Sequence, residues 1–354
     1  MPVRRPPPSR MPSPQMINLH GPHGAVDAMP AGADGPDLDG VVWIDLVDPT
    51  PEEARRVEAA TGLRVPTREA LSEVESSSRL RRIGGGLSLS TPMVTFDRSD
   101  FQLKPLGFVL TQRHLVTVRF HDMRAFATVA ERIAAGDGDC ANGPEVFLLV
   151  LEELVDGLAD TLEEMSSDLD GLSTRIFTFD TYGRTAKHSG EKRGTDVNAP
   201  KRRDRALRRL LGAIGRHGKS QSRLRASLLG LERIVPFVKG ECGHSLDALQ
   251  TPRFDTLARD IASLDEFETR QSETTQFLLD AALGLINIEQ NNVFRVLTVV
   301  SVVGIPPTLI ASMYGMNFKH MPELDWTYGY PYALGLILLS ALIPLVAFRI
   351  RGWL

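Results

Sequence analysis

The sequence predicts an α+β fold: a small sheet domain, then long helices, then a two-helix transmembrane hairpin. Three observations carry this. Val296 to Phe318 holds no charged residue over 23 positions, and Thr327 to Phe348 none over 22. A helix crossing the hydrocarbon core needs about 20 mostly apolar residues, so both runs are long enough. Ahead of them, apolar residues recur at steps of three and four from Phe147 onward, the period of a buried helix face. Earlier still, short apolar runs are punctuated by Gly, Pro and Asp, as strands are.

The 354 residues carry a net charge of −4, which gives no case for nucleic-acid binding. Cys140 and Cys242 lack partners at metal-ligand spacing and make no disulfide framework, in keeping with a reducing cytoplasm. Residues 1–38 are rich in Pro, Arg, Ser and Gly without an apolar run, so they are not a secretory signal and are expected to be a disordered tail.

Residues 39–136 are expected to form the α/β domain. Strands are placed at Val41–Val47, Leu87–Phe96, Leu106–Leu110 and His114–Phe120. Thr50 is read as a helix N-cap, with Pro51 at the first helical position and Glu53 closing a capping box. A helical region follows over 144–251, its stripe running through Phe147, Leu151, Leu158, Leu162, Met165 and Leu172. Gly, basic residues and Pro200 mark a mobile connection near 183–205. A third helical stretch, 252–313, merges with the first apolar run. Its expected stripe is Leu257, Ile261, Leu264, Phe267, Phe277, Leu278 and Leu285. Sixty helical residues span roughly 90 Å, too long for one globular domain, so this is expected to be a stalk entering the first span (about 294–313).

The loop 314–328 and second span 329–348 complete a hairpin whose flanks share one side. Arg295, Arg349 and Arg351 flank the spans, whereas the loop holds one lysine, Lys319. The positive-inside rule therefore places both termini, including the basic tail 349–354, in the cytoplasm. Tyr314, Trp326, Tyr328, Tyr330 and Tyr332 gather at the outer boundary and Trp353 marks the inner one, as an aromatic belt would.

On the first span, Asn291, Thr298, Ser301, Ile305, Thr308 and Ser312 fall within an arc of about 100° on a helical wheel. Val293, Val299, Val300, Val303 and Ile310 lie opposite. Single Ser and Thr hydroxyls in membrane helices commonly bond the preceding turn. A whole stripe beginning with an amide is better explained by a face lining water, and one helix cannot enclose a pore, so a symmetric oligomer is implied. Pro306-Pro307 is either an ordinary kink or a device that frees the carbonyls of residues 302 and 303.

After this span stand Tyr314-Gly315-Met316-Asn317-Phe318 and Met321-Pro322-Glu323-Leu324. With Leu285–Asn291, Pro306–Ser312, Trp43–Leu46, Pro66–Glu69, Ser77-Ser78-Arg79 and the terminal Gly-Trp-Leu, they resemble the CorA family of magnesium and cobalt transporters, whose hallmark is the Gly-Met-Asn triplet. The resemblance covers residues 41–354. It implies a funnel-shaped homopentamer in the cytoplasmic membrane that conducts Mg²⁺, with Co²⁺ and Ni²⁺, inward under the membrane potential. Gly315, Met316 and Asn317 would be the selectivity filter, with hydrated Mg²⁺ at Asn317. The pore would be lined by Asn291, Phe294, Leu297, Ser301, Ile305, Thr308 and Ser312. Tyr314 and Glu323 would stand at the entrance, and Asp280 in an acidic ring. Mg²⁺ would be both cargo and regulator, closing the pore between subunits; Asp97, Asp100, Asp255 and Asp260 are the candidates, without a placed site. No organic cofactor is implied. The alternative is a zinc transporter of the ZntB type, against which the intact triplet speaks. An anchored enzyme finds no support, since the sequence holds no nucleophile elbow, HExxH or phosphate loop.

Overall fold

A computed structural model describes residues 16–22, 24–26, 38, 40–73, 79–97, 100–136, 140–185, 199–243, 246–316, 322 and 326–353. The strands are β1 (Met16–Gly21), β2 (Gly24–Val26), β3 (Trp43–Val47), β4 (Leu80–Ile83), β5 (Gly86–Asp97), β6 (Asp100–Leu110) and β7 (Leu115–Arg119). The helices are α1 (Pro51–Thr61), α2 (Arg68–Leu71), α3 (Arg124–Ala135), α4 (Gly143–Thr185), α5 (Ala199–Cys242), α6 (Gln250–Tyr314) and α7 (Gly329–Ile350). The chain forms two compact units, residues 1–189 with 212–277, and residues 190–211 with 278–354.

The first unit is built on one seven-stranded sheet of order β2-β1-β3-β7-β6-β5-β4. Only β3 and β7 run parallel; the other neighbours are antiparallel. One face packs under α1 and α2 through Ile44, Leu46, Val57, Leu71, Val116 and Val118. The other carries Trp43, Leu89, Leu106 and Phe108 against α3, α4, α5 and the start of α6. Phe108 meets Phe147 edge-on with centroids 5.2 Å apart, and Trp43 tilts against Phe126 at 6.1 Å. The helices thus pack directly on this face of the sheet, and the α/β and helical regions expected as separate domains belong, over residues 1–189 and 212–277, to one compact unit.

Two expectations need correction. Residues 16–26, expected to be disordered, supply β1 and β2, with Leu19 paired to Ile44 in register. Ile17 and Leu19 are buried, and His20 stacks on Trp43 with centroids 4.4 Å apart. That alternation is three residues long and sits among prolines, which is why it does not stand out. Apart from residues 16–22, 24–26 and 38, the expected tail lies outside the described residues; of the connection expected near 183–205, residues 186–198 lie outside them too, while 183–185 and 199–205 are helical ends of α4 and α5. Strand β6 begins at Asp100 rather than Leu106 because it closes a hairpin with β5, Asp97 opposite Asp100 and Pro92 opposite Pro105. A proline within a run argues against a strand, and Pro105 hid this one.

Locally the chain obeys its own signals. Thr50 Oγ1 accepts from the Glu53 amide at 3.2 Å, and Glu53 Oε2 accepts from the Thr50 amide at 2.8 Å, completing the capping box at α1. Asp45, 2 % exposed, accepts from Thr117 Oγ1 at 2.7 Å and from both Nε and Nη2 of Arg119, the latter at 2.9 Å. This buried ion pair ties β3 to β7. Helix α5 crosses β5 beyond the end of β4, where the Val94 amide donates to Ser227 Oγ at 2.9 Å. A Cβ on Gly230 would lie 2.0 Å from Thr91 Oγ1, so only glycine permits that approach.

Helix α6 departs from its expected stripe. Its buried positions in the first unit are Gln250, Phe254, Leu257, Ile261, Glu268, Gln271 and Thr275, while Phe267 and Phe277 are 36 % and 59 % exposed. The spacing from 257 to 275 keeps to three and four with residue 264 half-buried, so the periodicity continues inward through polar residues. Glu268 faces Arg225, Oε2 to Nη1 3.4 Å apart, and Thr275 Oγ1 donates to Gln221 Oε1 at 2.9 Å. Burial, ahead of the opposing pull of Arg225, raises the Glu268 carboxyl above its usual range. Phe277 rests on Phe177, centroids 6.1 Å apart.

Candidate ion-conduction site

In the second unit, the C-terminal part of α6 and the whole of α7 are long and apolar enough to cross a membrane, and no residue of either apolar window is buried within the chain. Side chains this apolar and this bare need lipid or other subunits around them.

The half-buried positions of α6 show which face meets protein. They are Val299, Val303, Pro306, Ile310 and Tyr314, with Pro307 beside them; Ser301, also half-buried, lies on the opposite side of the helix. On α7 the matching set is Ala333, Leu336, Ile337, Ser340, Pro344 and Phe348. Each recurs at three or four residues, as in two helices that each turn one face to protein. The polar stripe lies away from the Val299–Ile310 face. Asn291, Thr298, Thr308 and Ser312 are exposed, and Phe294, Leu297 and Ile305 are 65 %, 61 % and 64 % exposed. Ser301 is half-buried. All seven expected lining positions thus stand on one continuous helix, and its bare face holds six of them.

Two hydroxyls of this face bond their own helix. Thr298 Oγ1 donates to the Phe294 carbonyl and Thr308 Oγ1 to the Gly304 carbonyl, each at 2.8 Å. The donor is used, and the lone pairs of each oxygen stay outward. Pro306 and Pro307 lie inside α6 without ending it, and they remove two amide donors from its last turns.

Helix α6 ends at Tyr314. The Gly315 amide donates to the Ala311 carbonyl at 3.0 Å and the Met316 amide to that of Met313 at 3.3 Å, so the triplet begins as a helix end. Both residues are exposed. Asn317 and Glu323 lie outside the described residues. Trp326 touches Tyr328 and Tyr332, centroids 6.3 Å and 5.7 Å apart, and Trp353 stacks on Phe348 at 5.5 Å. Asp280 is exposed on α6.

The acidic candidates for regulation are scattered. Lys239 Nζ pairs with Asp255, and the side chains of Asp97 and Asp100 lie outside the description. Asp260 lines a shallow groove with Glu152 and Arg253, and Arg253 holds Glu152 at 2.8 Å. Burial, then the charges of Glu153, Glu152, Asp160 and Asp260, raises the Asp156 carboxyl. Among the described residues, no three His, Cys, Asp or Glu side chains converge to hold a metal ion.

Sequence reasoning missed the buried Glu268, Gln271 and Thr275 because it followed apolarity instead of period. Their three-four spacing was the available signal.

Comparison with known proteins extends the reading. A family model described as CorA-like Mg²⁺ transporter protein matches residues 39–189 and 195–351. The magnesium transport protein CorA of Haemophilus influenzae is 31 % identical over 322 residues, 91 % of this chain and 95 % of that one. CorA of Escherichia coli K12 is 33 % identical over 316 residues, 88 % and 92 %. Among solved structures, the complete CorA magnesium transporter of Methanocaldococcus jannaschii superposes with a TM-score of 0.73 at 18 % identity, covering 97 % of this chain and all of that one. The full-length CmaX protein gives 0.62 at 18 %, covering 96 % and 97 %. The structural likenesses speak to fold; the sequence matches speak to descent, and by them this chain belongs to the CorA-like Mg²⁺ transporter family.

Proposed function

We propose that the chain is one subunit of a homopentameric channel that conducts Mg²⁺ into the cytoplasm, both termini being cytoplasmic. The observation that carries this is the bare polar face of α6, turned away from that helix's half-buried face and leading into Gly315-Met316-Asn317, in a chain similar over nine-tenths of its length to named magnesium transport proteins. Five such faces around an axis would give a water-filled path. Mg²⁺ demands octahedral geometry and gives up its waters reluctantly. A filter of amide and carbonyl oxygens from Gly315, Met316 and Asn317 accepts hydrogen bonds from those waters and leaves the shell in place. A carboxylate ring would hold the ion too tightly for release, and the sequence offers none between Glu289 and Glu323. Phe294 and Leu297 supply an apolar constriction that gates by dewetting. Two charges moving through 100 mV gain about 4.6 kcal/mol, so no nucleotide hydrolysis is needed. Co²⁺ and Ni²⁺ follow as cargo of similar size, and cytoplasmic Mg²⁺ bridging acidic side chains of neighbouring subunits closes the pore.

The test is Mg²⁺ uptake into liposomes holding the purified chain, wild type beside Asn317→Ala, with Co²⁺, Ni²⁺ and Zn²⁺ as competitors. Uptake driven by an inside-negative potential, lost in the variant and suppressed by high Mg²⁺ on the cytoplasmic side, is expected. Absence of Mg²⁺ uptake, with Zn²⁺ flux following a proton gradient, would transfer the chain to the zinc-transporter reading.

A further inference from the structure

Helices α5 and α6 form an antiparallel hairpin, and their cross-helix pairs set its register. Lys239 pairs with Asp255, Arg225 with Glu268, and Thr275 Oγ1 donates to Gln221. Each step back along α5 is therefore matched by a step forward along α6. Both helices run unbroken into the second unit, to which residues 190–211 and 278–354 belong. Continued at the same pace, the register brings Arg209 level with about residue 285 and Lys201 with about residue 293. The start of α5 thus lies roughly 5–15 Å short of the level of Val296, where the charge-free run begins.

That start is basic even when every nearby carboxylate in the sequence is counted. From Arg184 to Arg209 there are ten Lys and Arg against three acids, Glu191, Asp196 and Asp204, in a chain of net charge −4. Further from the span, acids of α6 answer basic residues of α5, as Asp255 answers Lys239 and Glu268 answers Arg225. Between Leu285 and Arg295, α6 offers one carboxylate, Glu289, beside Arg295 itself. One helix stays basic after the other has run out of acids. Arg205 and Arg209, four residues apart, share a face and are exposed, while Leu207 and Leu210 are buried. Helix stability does not account for the charge, because helix N-termini favour carboxylates and the first turn of α5 has none.

We propose that the basic start of α5 binds anionic phospholipid headgroups of the leaflet that α6 enters. The proposal rests on the reading that α6 and α7 cross the membrane with their flanks cytoplasmic. The negative surface potential of a cytoplasmic leaflet extends about one Debye length, roughly 8 Å at physiological ionic strength. Arginine side chains carry their guanidinium groups on toward the phosphates, which they can grip with two parallel hydrogen bonds. A lipid is favoured over a soluble polyanion because the helix paired with α5 is the one that enters the bilayer. Headgroups are therefore held beside these residues at all times.

Thermophoresis of the full chain in neutral detergent micelles would titrate phosphatidylglycerol beside phosphatidylcholine. The expected result is preferential binding of phosphatidylglycerol, weakened roughly fivefold by each of Arg205→Gln and Arg209→Gln and abolished by high salt. Arg205→Lys, which keeps the charge, is expected to retain most of the binding. Size-exclusion profiles matching wild type show that the variants remain folded. Equal affinity for the two lipids, or a preference indifferent to both α5 glutamine variants, would overturn the proposal. So would a preference lost only when Arg349 and Arg351 are replaced by Gln, which would place the lipid on the C-terminal flank. Tighter binding of inorganic phosphate or a short single-stranded RNA to the same two arginines would overturn it in favour of a soluble anion. Micelles report neither orientation nor flux, so failure here is distinct from failure of the conduction reading, which the liposome assay tests.

Discussion

At the scale of single residues, the ion pair of Asp45 and Arg119 is the most exacting arrangement in the sheet. Both side chains are over nine-tenths buried, so each charge depends on the other and on its hydrogen bonds. Removing one partner of such a pair costs about 3–5 kcal/mol, because the remaining charge is left buried. Asp45→Ala should lower the denaturation midpoint of the purified chain accordingly, whereas Glu73→Ala, in a half-exposed pair, should scarcely move it. Two residues from Arg119, burial, then the charges of Lys104 and Arg119, push the His121 imidazole down to about 4. The folded state therefore takes up this proton later than the unfolded chain, whose imidazole titrates near 6.5. Stability should fall as pH drops from 6.5 toward 4, and His121→Gln should flatten that part of the pH–stability curve. The capping box of Thr50 and Glu53 was legible in the sequence because both partners lie within four residues. The Asp45 pair was not, because its partner lies 74 positions away and only the parallel register of β3 and β7 unites them.

At the scale of elements, the crossing of α5 over β5 is fixed by absence of a side chain. Gly230→Ala forces a methyl group to within 2.0 Å of Thr91 Oγ1, and overpacking of this kind costs about 1–3 kcal/mol. On α4, nothing lies within 4 Å of a Cβ at Gly157. Gly157→Ala should thus stabilise by up to about 1 kcal/mol through helix propensity alone. Thermal unfolding of the two variants should move in opposite directions from wild type; equal losses would refute the close-approach account. The long helices were readable because their period repeats for many turns, and both apolar runs emerged as α6 and α7 for the same reason. The inward turn of Glu268, Gln271 and Thr275 was hidden because polar residues at a buried face carry no apolar signal. Strands β2 and β4 were missed because three or four residues give too few alternations to register.

At the scale of the whole molecule, the proposal of a pore rests on how subunits would share α6. In a background of Cys140→Ala and Cys242→Ser, single cysteines placed at Ile305 and Thr308 should react with a hydrophilic thiol reagent in liposomes, while those at Val303 and Ile310 should stay protected. Equal reactivity on both faces would leave no basis for a lined path. The stripe itself was legible in the sequence, since a helix projects its own wheel. The number of subunits was not, because symmetry resides in contacts between chains and came only with the family resemblance.

The order of elements along the chain has a consequence for biosynthesis. The sheet, whose pairings reach from Met16 to Arg119, is the part with the most distant partners and so the slowest to assemble. Its last strand is finished 177 residues before Val296, where the first apolar run begins. At roughly 5–20 residues per second, translation gives the sheet about 9–35 seconds before any bilayer-seeking segment exists. The pairing that takes longest is thereby given its time early, while the nascent chain still lacks the sequences that would draw it to a membrane.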